Sequence, residues 1–158
     1  MRSILFICTA NRCRSPMAEV LLQRAVEQRG EAAQWNISSA GTWAEADLGV
    51  TQLTRAVMTK RGLSVDEHRS RSLTAEMLHK ADAVLVMTRN HKEAIQAEFP
   101  ASVGRVFLLS QLVDQDYDIE DPYGGSLDDY ELCASEIDDL LSRGFGRLVE
   151  LTDRAVAP

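Results

Sequence analysis

The residues with the clearest capacity for chemistry lie near the amino terminus, between positions 8 and 16. Cys8 and Arg14 stand six residues apart in Cys8-Thr-Ala-Asn-Arg-Cys-Arg-Ser-Pro16. A loop of this length can direct several backbone N–H groups toward one point, and a guanidinium folded over it can hold two phosphate oxygens. Such surroundings favour the nucleophilic thiolate. The segment predicts an anion-binding loop with Cys8 as nucleophile; a small buried thiol at a strand end is the alternative.

Short apolar runs separated by amphipathic segments must position this loop. Continuous apolar runs are typical of strands covered on both faces of a parallel sheet, and three are present, Ile4–Cys8, Ala83–Met87 and Val106–Leu109. Trp35–Ala40 is a weaker fourth strand. Helical spacing predicts helices from Ser15 to a stop at Gly30, over Val50–Arg61, over Leu73–Lys80, from a cap at Thr88 to Phe99, and after Ser126.

Alternation of strands and helices predicts the α/β class. We expect a single doubly wound domain over residues 1–158, with a four-stranded parallel sheet and helices on both faces. Ser15 is expected to cap the first helix, with Pro16 at its first position. Gly144 and Gly146 are expected to weaken the far end of the last helix. In such folds ligands bind beyond the carboxyl ends of the strands, which is where Cys8 lies.

Composition limits the classes of partner. The 158 residues include 45% apolar and 26% charged side chains and carry a net charge of −7. This acidic balance disfavours nucleic acid as a binding partner, and no apolar run approaches the roughly 20 residues of a membrane span. Three cysteines make no disulfide framework, and a signal-peptide apolar region is absent. We therefore expect a cytoplasmic protein with neither nucleic-acid nor membrane partners. The three histidines lack metal-ligand spacing, so we predict no metal and no cofactor.

With these residues in view, the sequence resembles the low-molecular-weight protein tyrosine phosphatases. The resemblance rests on the segment 8–19 and on Asp121-Pro122-Tyr123 in a late loop, with further matches at 38–42, 68–71 and 86–88. It covers essentially the whole chain and implies the fold of that family. Within the family, Asp121-Pro-Tyr-Gly-Gly-Ser126 is most similar to the bacterial branch that includes protein-arginine phosphatases. The implied partners are a phosphorylated protein substrate and inorganic phosphate or similar oxyanions.

The resemblance implies a role for each residue of the catalytic set. Cys8 is the nucleophile that forms a phosphocysteine, Arg14 clamps the phosphate, and Asp121 is the general acid and then the base for water. Phosphoryl transfer needs in-line attack, stabilised equatorial oxygens and a proton for the departing atom. Without the resemblance, Asp121 before a proline is a turn residue. The phosphate-binding loop comprises Thr9, Ala10, Asn11, Arg12 and Cys13.

The resemblance also implies a hydrogen-bond network that ties this loop down, formed by Asn11, Ser15, Ser39 and His68. Asparagine suits a left-handed backbone position inside the loop. Taken alone, Ser15 is a helix cap and His68 a surface histidine.

Trp43 and Tyr123 are similar to the aromatic walls of the family's active-site mouth, although Trp43 also fits an ordinary partly buried aromatic. Cys13 lies on the same loop as Cys8. A reversible disulfide between them and a packed neutral Cys13 thiol are both open interpretations. Cys133 falls on the apolar face of the last predicted helix and is expected in the core.

Two loop positions depart from the family pattern. Ala10 stands where glycine is usual, and a positive φ there would add strain of about 1 kcal/mol. Arg12 stands where tyrosine-directed members carry an apolar residue and arginine-directed members threonine. A guanidinium at the pocket wall repels phosphoarginine and can stack on a phosphotyrosine ring. Arg12 therefore favours phosphotyrosine, and the late-loop similarity supports phosphoarginine as the alternative substrate.

Two rival functions share the loop. Thioredoxin-coupled arsenate reductases need further cysteines to relay a disulfide, and the segment Ala81–His91 contains none. A non-catalytic phosphate-binding module needs neither a nucleophile nor an acid, so the joint presence of Cys8, Arg14 and Asp121 argues against it.

Overall fold

Four parallel strands form the centre of the computed structural model, which describes residues 1–156. The strands are β1 (Arg2–Cys8), β2 (Trp35–Gly41), β3 (Ala83–Val86) and β4 (Val106–Leu108). They pair in the order β2-β1-β3-β4, and every neighbouring pair is parallel. The predicted four-stranded parallel sheet is confirmed.

Helices connect and cover the strands. The α-helices are α1 (Arg14–Gln28), α2 (Gln52–Lys60), α3 (Ala75–Lys80), α4 (Arg89–Glu98), α5 (Leu127–Arg143) and α6 (Phe145–Val156). Short 3-10 helices occupy Ala32–Gln34, Pro100–Arg105 and Leu109–Val113. The last of these begins at Leu109, which the sequence predicts as the end of a strand.

The sheet separates two apolar cores. Successive side chains of a strand point to opposite faces, so Ile4 and Phe6 of β1 join the core under α1, α2, α5 and α6. Leu5 and Ile7 join the core under α3 and α4, with Ile95. Burial on both faces explains why β1 is a continuous apolar run, and it makes the end of β1 a rigid support for the loop that follows.

The start of α1 differs from the prediction. The helix begins at Arg14, its N-cap position is Cys13, and no side chain caps it. Ser15 therefore lies inside the first turn and Pro16 at the third helical position. The reason is competition for one hydroxyl, because Ser15 bonds side chains of the preceding loop instead of the free N–H groups of the helix.

The carboxyl-terminal end of the chain also differs from the prediction. The single last helix predicted from the sequence is two helices, since α5 ends at Arg143 with Gly144 as its C-cap and α6 begins at Phe145. A side chain at Gly144 would clash with Leu112, so glycine permits the close approach at this corner. Leu148 and Leu151 are buried in the α6 face and extend the core beside β1 and β3. Gly146, expected to weaken a helix end, lies within α6.

The carboxyl ends of β1, β2 and β3 bring three loops together. Cys8 pairs with Gly41 at the ends of β1 and β2. A side chain at Gly41 would clash with the backbone carbonyl of Thr9, so glycine lets β2 approach the loop after β1. The late loop joins the same edge, because Ile119 N–H donates to the Met87 carbonyl at 2.9 Å.

Candidate active site

Cys8 lies at the floor of the loop that joins β1 to α1. Its side chain is buried, and its Sγ is 2.9 Å from the Ser15 Oγ. Since Asn11 Nδ2 donates to the same Oγ at 2.9 Å, the Ser15 proton is free to point at the sulfur. The sulfur therefore contacts the first turn of α1, the end of the helix that carries partial positive charge.

Asn11 holds the loop in shape. Its φ of 57° is the left-handed conformation expected of it, and its side chain is fully buried. The Nδ2 group donates to Ser15 and Ser39, and Oδ1 accepts from the Arg71 backbone N–H at 3.1 Å. His68 Nε2 donates to the Asn11 backbone carbonyl at 2.7 Å. The structure thus brings together the four residues that the resemblance placed in one network.

Two members of this network were not anticipated from the sequence. Ser39 Oγ donates a short hydrogen bond to the Glu19 carboxylate, which gives the network an anionic end. Arg71 Nε donates to the Ser39 carbonyl at 3.0 Å in addition to its backbone bond. Glu19 and Arg71 lie in segments that carry the family resemblance, 8–19 and 68–71, and this position is the one feature of the sequence that could have identified them.

Arg14 joins the loop after β1 to the late loop. Its buried guanidinium donates through Nη1 to the Ile119 carbonyl at 2.9 Å, and Nη2 lies 3.5 Å from Asp121 Oδ2. Arg14 Nε is buried and has no hydrogen-bond partner within residues 1–156. A buried donor without a partner is uncommon in folded proteins.

Asp121 stands across the mouth from the loop. Its carboxylate is about half exposed, and its Oδ1 accepts from the Tyr123 N–H at 3.1 Å, so it is a turn residue and also faces Arg14. Thr9, Arg14, His91 and Asp121 line one cavity of about 460 Å³. The loop after β1, Arg14 and Asp121 therefore open into a common space.

The two departures from the family pattern have structural outcomes. Ala10 is not among the residues with positive φ, so the conditional strain considered for it does not arise. Arg12 is half-buried, and its Nε donates to the Gly49 carbonyl at 2.7 Å. Within residues 1–156 no carboxylate forms a salt bridge with Arg12, so no ion pair neutralises its charge there.

The aromatic residues expected at the mouth are exposed. Trp43 is 86% exposed and Tyr123 is 73% exposed. The backbone N–H of Trp43 donates to the Thr9 carbonyl at 3.0 Å, which places Trp43 directly beside the loop. The alternative of a partly buried Trp43 is therefore wrong.

Three buried side chains near the site are held in their neutral forms. Burial raises the pKa of the Cys13 thiol to about 12, although a hydrogen bond from Thr54 lowers it in part. Burial also raises the pKa of Cys133. His91 was not singled out from the sequence. Burial, followed by the positive charge of Arg14, lowers its pKa to about 4. All three cysteines are free thiols.

Comparison with known proteins assigns the family. The family model for low molecular weight phosphotyrosine protein phosphatase matches residues 3–152. The chain belongs to this family. This phosphatase is 37% identical to a protein-arginine-phosphatase of Bacillus subtilis (strain 168) over 139 residues, 87% of this chain and 91% of that protein. It is also 34% identical to the low molecular weight protein-tyrosine-phosphatase Ptp of Acinetobacter johnsonii, over 77% of this chain and 80% of that protein.

A solved structure supports the covalent mechanism of the family. It is the YwlE arginine phosphatase in a mutant form with a phosphorylated active-site serine. It superposes on this phosphatase with a TM-score of 0.89 at 34% identity, covering 97% of this chain and 99% of that one. The chain is therefore a hydrolase of the protein phosphatase class. Within residues 1–156 no cluster of metal-binding side chains is present, and no helix is long and apolar enough to cross a membrane.

Proposed function

We propose that this phosphatase hydrolyses phosphorylated protein side chains through a phosphocysteine on Cys8. The observation that carries the assignment of roles is the convergence of residues distant in the chain. Cys8 bonds Ser15 at the loop floor, while the guanidinium of Arg14 lies 3.5 Å from the Asp121 carboxylate at the mouth. A nucleophile, an oxyanion clamp and an acid in this order match the needs of phosphoryl transfer.

In the first step the Cys8 thiolate attacks phosphorus, and the bond from phosphorus to the leaving atom breaks. Arg14 and the backbone N–H groups of residues 9–13 hold the non-bridging oxygens, whose charge grows in the transition state. Asp121 donates its proton to the leaving atom, which is oxygen in phosphotyrosine and nitrogen in phosphoarginine. Asp121 is then a carboxylate. In the second step it accepts a proton from the water that releases inorganic phosphate.

Phosphotyrosine is the substrate that the mouth favours. The exposed rings of Trp43 and Tyr123 offer flat apolar faces for a phenyl ring. Arg12 adds a guanidinium that forms no salt bridge within residues 1–156; its charge repels the guanidinium of phosphoarginine, and its plane can stack on a phosphotyrosine ring.

Phosphoarginine is the second candidate substrate. The observation in its favour is the 37% identity to a protein named as an arginine phosphatase. The bond from Arg12 to the Gly49 carbonyl also fixes one edge of its guanidinium, which limits how far its charge can reach across the mouth.

The test compares kcat/KM for a phosphotyrosine peptide and the matching phosphoarginine peptide. The expected ratio is above one, and Arg12→Thr is expected to shift it toward phosphoarginine by about tenfold or less, the effect of one partly screened charge. Arg143→Thr removes an exposed charge on α5 and is the matched control. A ratio below one assigns the chain to arginine phosphatases, and no turnover above Cys8→Ser refutes the proposed function.

We also propose that the protein works in the cytoplasm and binds inorganic phosphate as a product. Free Cys8, Cys13 and Cys133 suit a reducing compartment. The unpartnered Nε of Arg14 supports oxyanion binding.

A further inference from the structure

His91 is hydrogen-bonded through both ring nitrogens at the edge of the site. The Thr88 backbone N–H donates to His91 Nδ1 at 3.1 Å. A backbone N–H can only donate, so Nδ1 carries a lone pair and the proton of the neutral ring is on Nε2. Nε2 lies 2.9 Å from the Thr9 hydroxyl oxygen and donates to it.

The ring has little freedom to change this arrangement. His91 is only 4% exposed and sits in the first turn of α4, where it forms a capping box with Thr88. Burial keeps its pKa near 4, so the ring is neutral across the physiological pH range. The Nε2–H therefore stays directed at Thr9.

The Thr9 hydroxyl proton must then point elsewhere. Its oxygen already accepts from His91, and within residues 1–156 the hydroxyl has no other hydrogen-bond partner. Thr9 lines the cavity of about 460 Å³ that Arg14 and Asp121 also line. The free proton is therefore available to a molecule in that cavity.

We propose that Thr9, oriented by His91, donates a hydrogen bond to the water that hydrolyses the phosphocysteine. This rests on the function proposed above. The water oxygen bonds to phosphorus, the phosphorus–sulfur bond breaks and its electron pair returns to Cys8. One water proton passes to the Asp121 carboxylate, and the products are inorganic phosphate and the thiolate. Thr9 keeps its proton throughout, and His91 is a positioning residue.

The position of Thr9 favours the water over the phosphoryl group as its partner. Phosphoryl oxygens inside the loop face backbone N–H groups and Arg14, whereas the water must approach opposite Cys8, on the side of Asp121. A water that directs one lone pair at phosphorus and one proton at Asp121 has a second lone pair to accept from a donor. Thr9 supplies a donor from the wall of the same cavity.

The experiment separates the two chemical steps. Stopped-flow bursts with p-nitrophenyl phosphate measure the rate constants for formation and hydrolysis of the phosphocysteine. Thr9→Val should lower the hydrolysis rate constant at least about fivefold, the worth of one hydrogen bond, and change formation less than twofold. kcat/KM should hold steady, because it reports only the steps through formation. Thr9→Ser should restore hydrolysis.

His91→Leu tests the orienting role. It should slow hydrolysis in the wild-type background and have no further effect on top of Thr9→Val, because the two residues act through one hydroxyl. Thr59→Val, at an exposed position of α2, is the control and should leave both rate constants unchanged.

The outcomes distinguish this inference from the proposed function. If the wild type shows no burst and rapid acid quenching traps no phosphocysteine, the proposed function fails. If phosphocysteine is trapped and Thr9→Val hydrolyses it at the wild-type rate, or slows formation as much as hydrolysis, the role of Thr9 is refuted. Equal stabilisation of wild type and Thr9→Val by phosphate in thermal unfolding confirms that the variant retains the loop.

Discussion

Arg14 and Asp121 face each other with Nη2 and Oδ2 3.5 Å apart, and the same guanidinium donates to the Ile119 carbonyl. The residue proposed to clamp phosphate thus also contacts the loop that carries the proposed acid. Because both contacts involve one rigid planar group, Asp121 is positioned by the residue that we propose binds the phosphoryl group.

Asp121→Ala should slow turnover of an aryl phosphate about 100-fold or more, the usual contribution of a general acid or base. Inhibition by inorganic phosphate should stay nearly intact, because Cys8 and Arg14 are unchanged and one negative charge is removed from the mouth. Steady-state kinetics and phosphate inhibition constants measure both. Asp128→Ala, an exposed carboxylate in the first turn of α5, is the control. Unchanged turnover in Asp121→Ala would remove this residue from the mechanism.

Asn11→Ala should lower the free energy of unfolding by about 3 kcal/mol. The change leaves the Arg71 N–H without its acceptor and imposes positive φ on alanine, two costs of about 1–2 kcal/mol each. Urea denaturation at neutral pH provides the measurement. Asn36→Ala, on the exposed face of β2, should stay within about 0.5 kcal/mol of wild type. A similar small change in Asn11→Ala would show that the network is not structural.

Acid should destabilise the fold through His91. Its pKa is about 4 in the folded protein and about 6.5 when unfolded, so the unfolded chain binds the proton first as pH falls. The stability present above pH 6.5 is lost toward pH 4, and the loss at pH 5 is about 2 kcal/mol. Unfolding of wild type and His91→Gln at pH 7 and pH 5 isolates this contribution.

His79→Gln, a change at an exposed histidine, is the control: the difference in stability between it and wild type should be the same at pH 7 and pH 5. Identical slopes for wild type and His91→Gln would show that the buried imidazole titrates normally.

Iodoacetamide should modify a single thiol at pH 7. Burial raises the pKa of Cys13 and Cys133 far above neutrality, so neither supplies the reactive thiolate. Mass spectrometry of the intact protein should show one adduct, on Cys8, which inorganic phosphate suppresses. Cys8→Ser should give none. Labelling of Cys13 in Cys8→Ser at the wild-type rate would contradict the assignment of the nucleophile.

Local pattern was sufficient for much of the fold. Continuous apolar runs and 3.6-residue spacing placed four strands and four helices within about two residues of their observed ends, and they also placed the start of α5. The helix boundary at Gly144 was not predicted, because a glycine can either weaken a continuous helix or permit a tight corner between two helices. The close approach of Leu112 to Gly144, which only the tertiary structure shows, distinguishes the two. Burial of Leu148 and Leu151 against the sheet stabilises α6, which could not be recognised as a separate helix from the sequence because two glycines lie near its start.

The site was predictable to the extent that its parts are adjacent in the chain. The spacing of Cys8 and Arg14 signalled an anion loop, but Asp121 was identifiable only through family resemblance, since an Asp-Pro pair is ordinary turn chemistry. Ser15 shows the limit of local rules, because its hydroxyl could cap a helix or bond Asn11 and Cys8. His91 contacts Thr9 only through tertiary structure, so no sequence spacing marks it.

The exposure of Trp43 and Tyr123 has a consequence for engineering and evolution. Side chains that project into solvent contribute little to folding, so these walls can be exchanged at small thermodynamic cost. The loop of residues 8–14 is held by Asn11 and its hydrogen-bond partners, so substitutions within that network cost stability. A library randomised at the two wall positions should therefore yield folded enzymes with altered preferences, and selectivity can drift while the reaction is preserved.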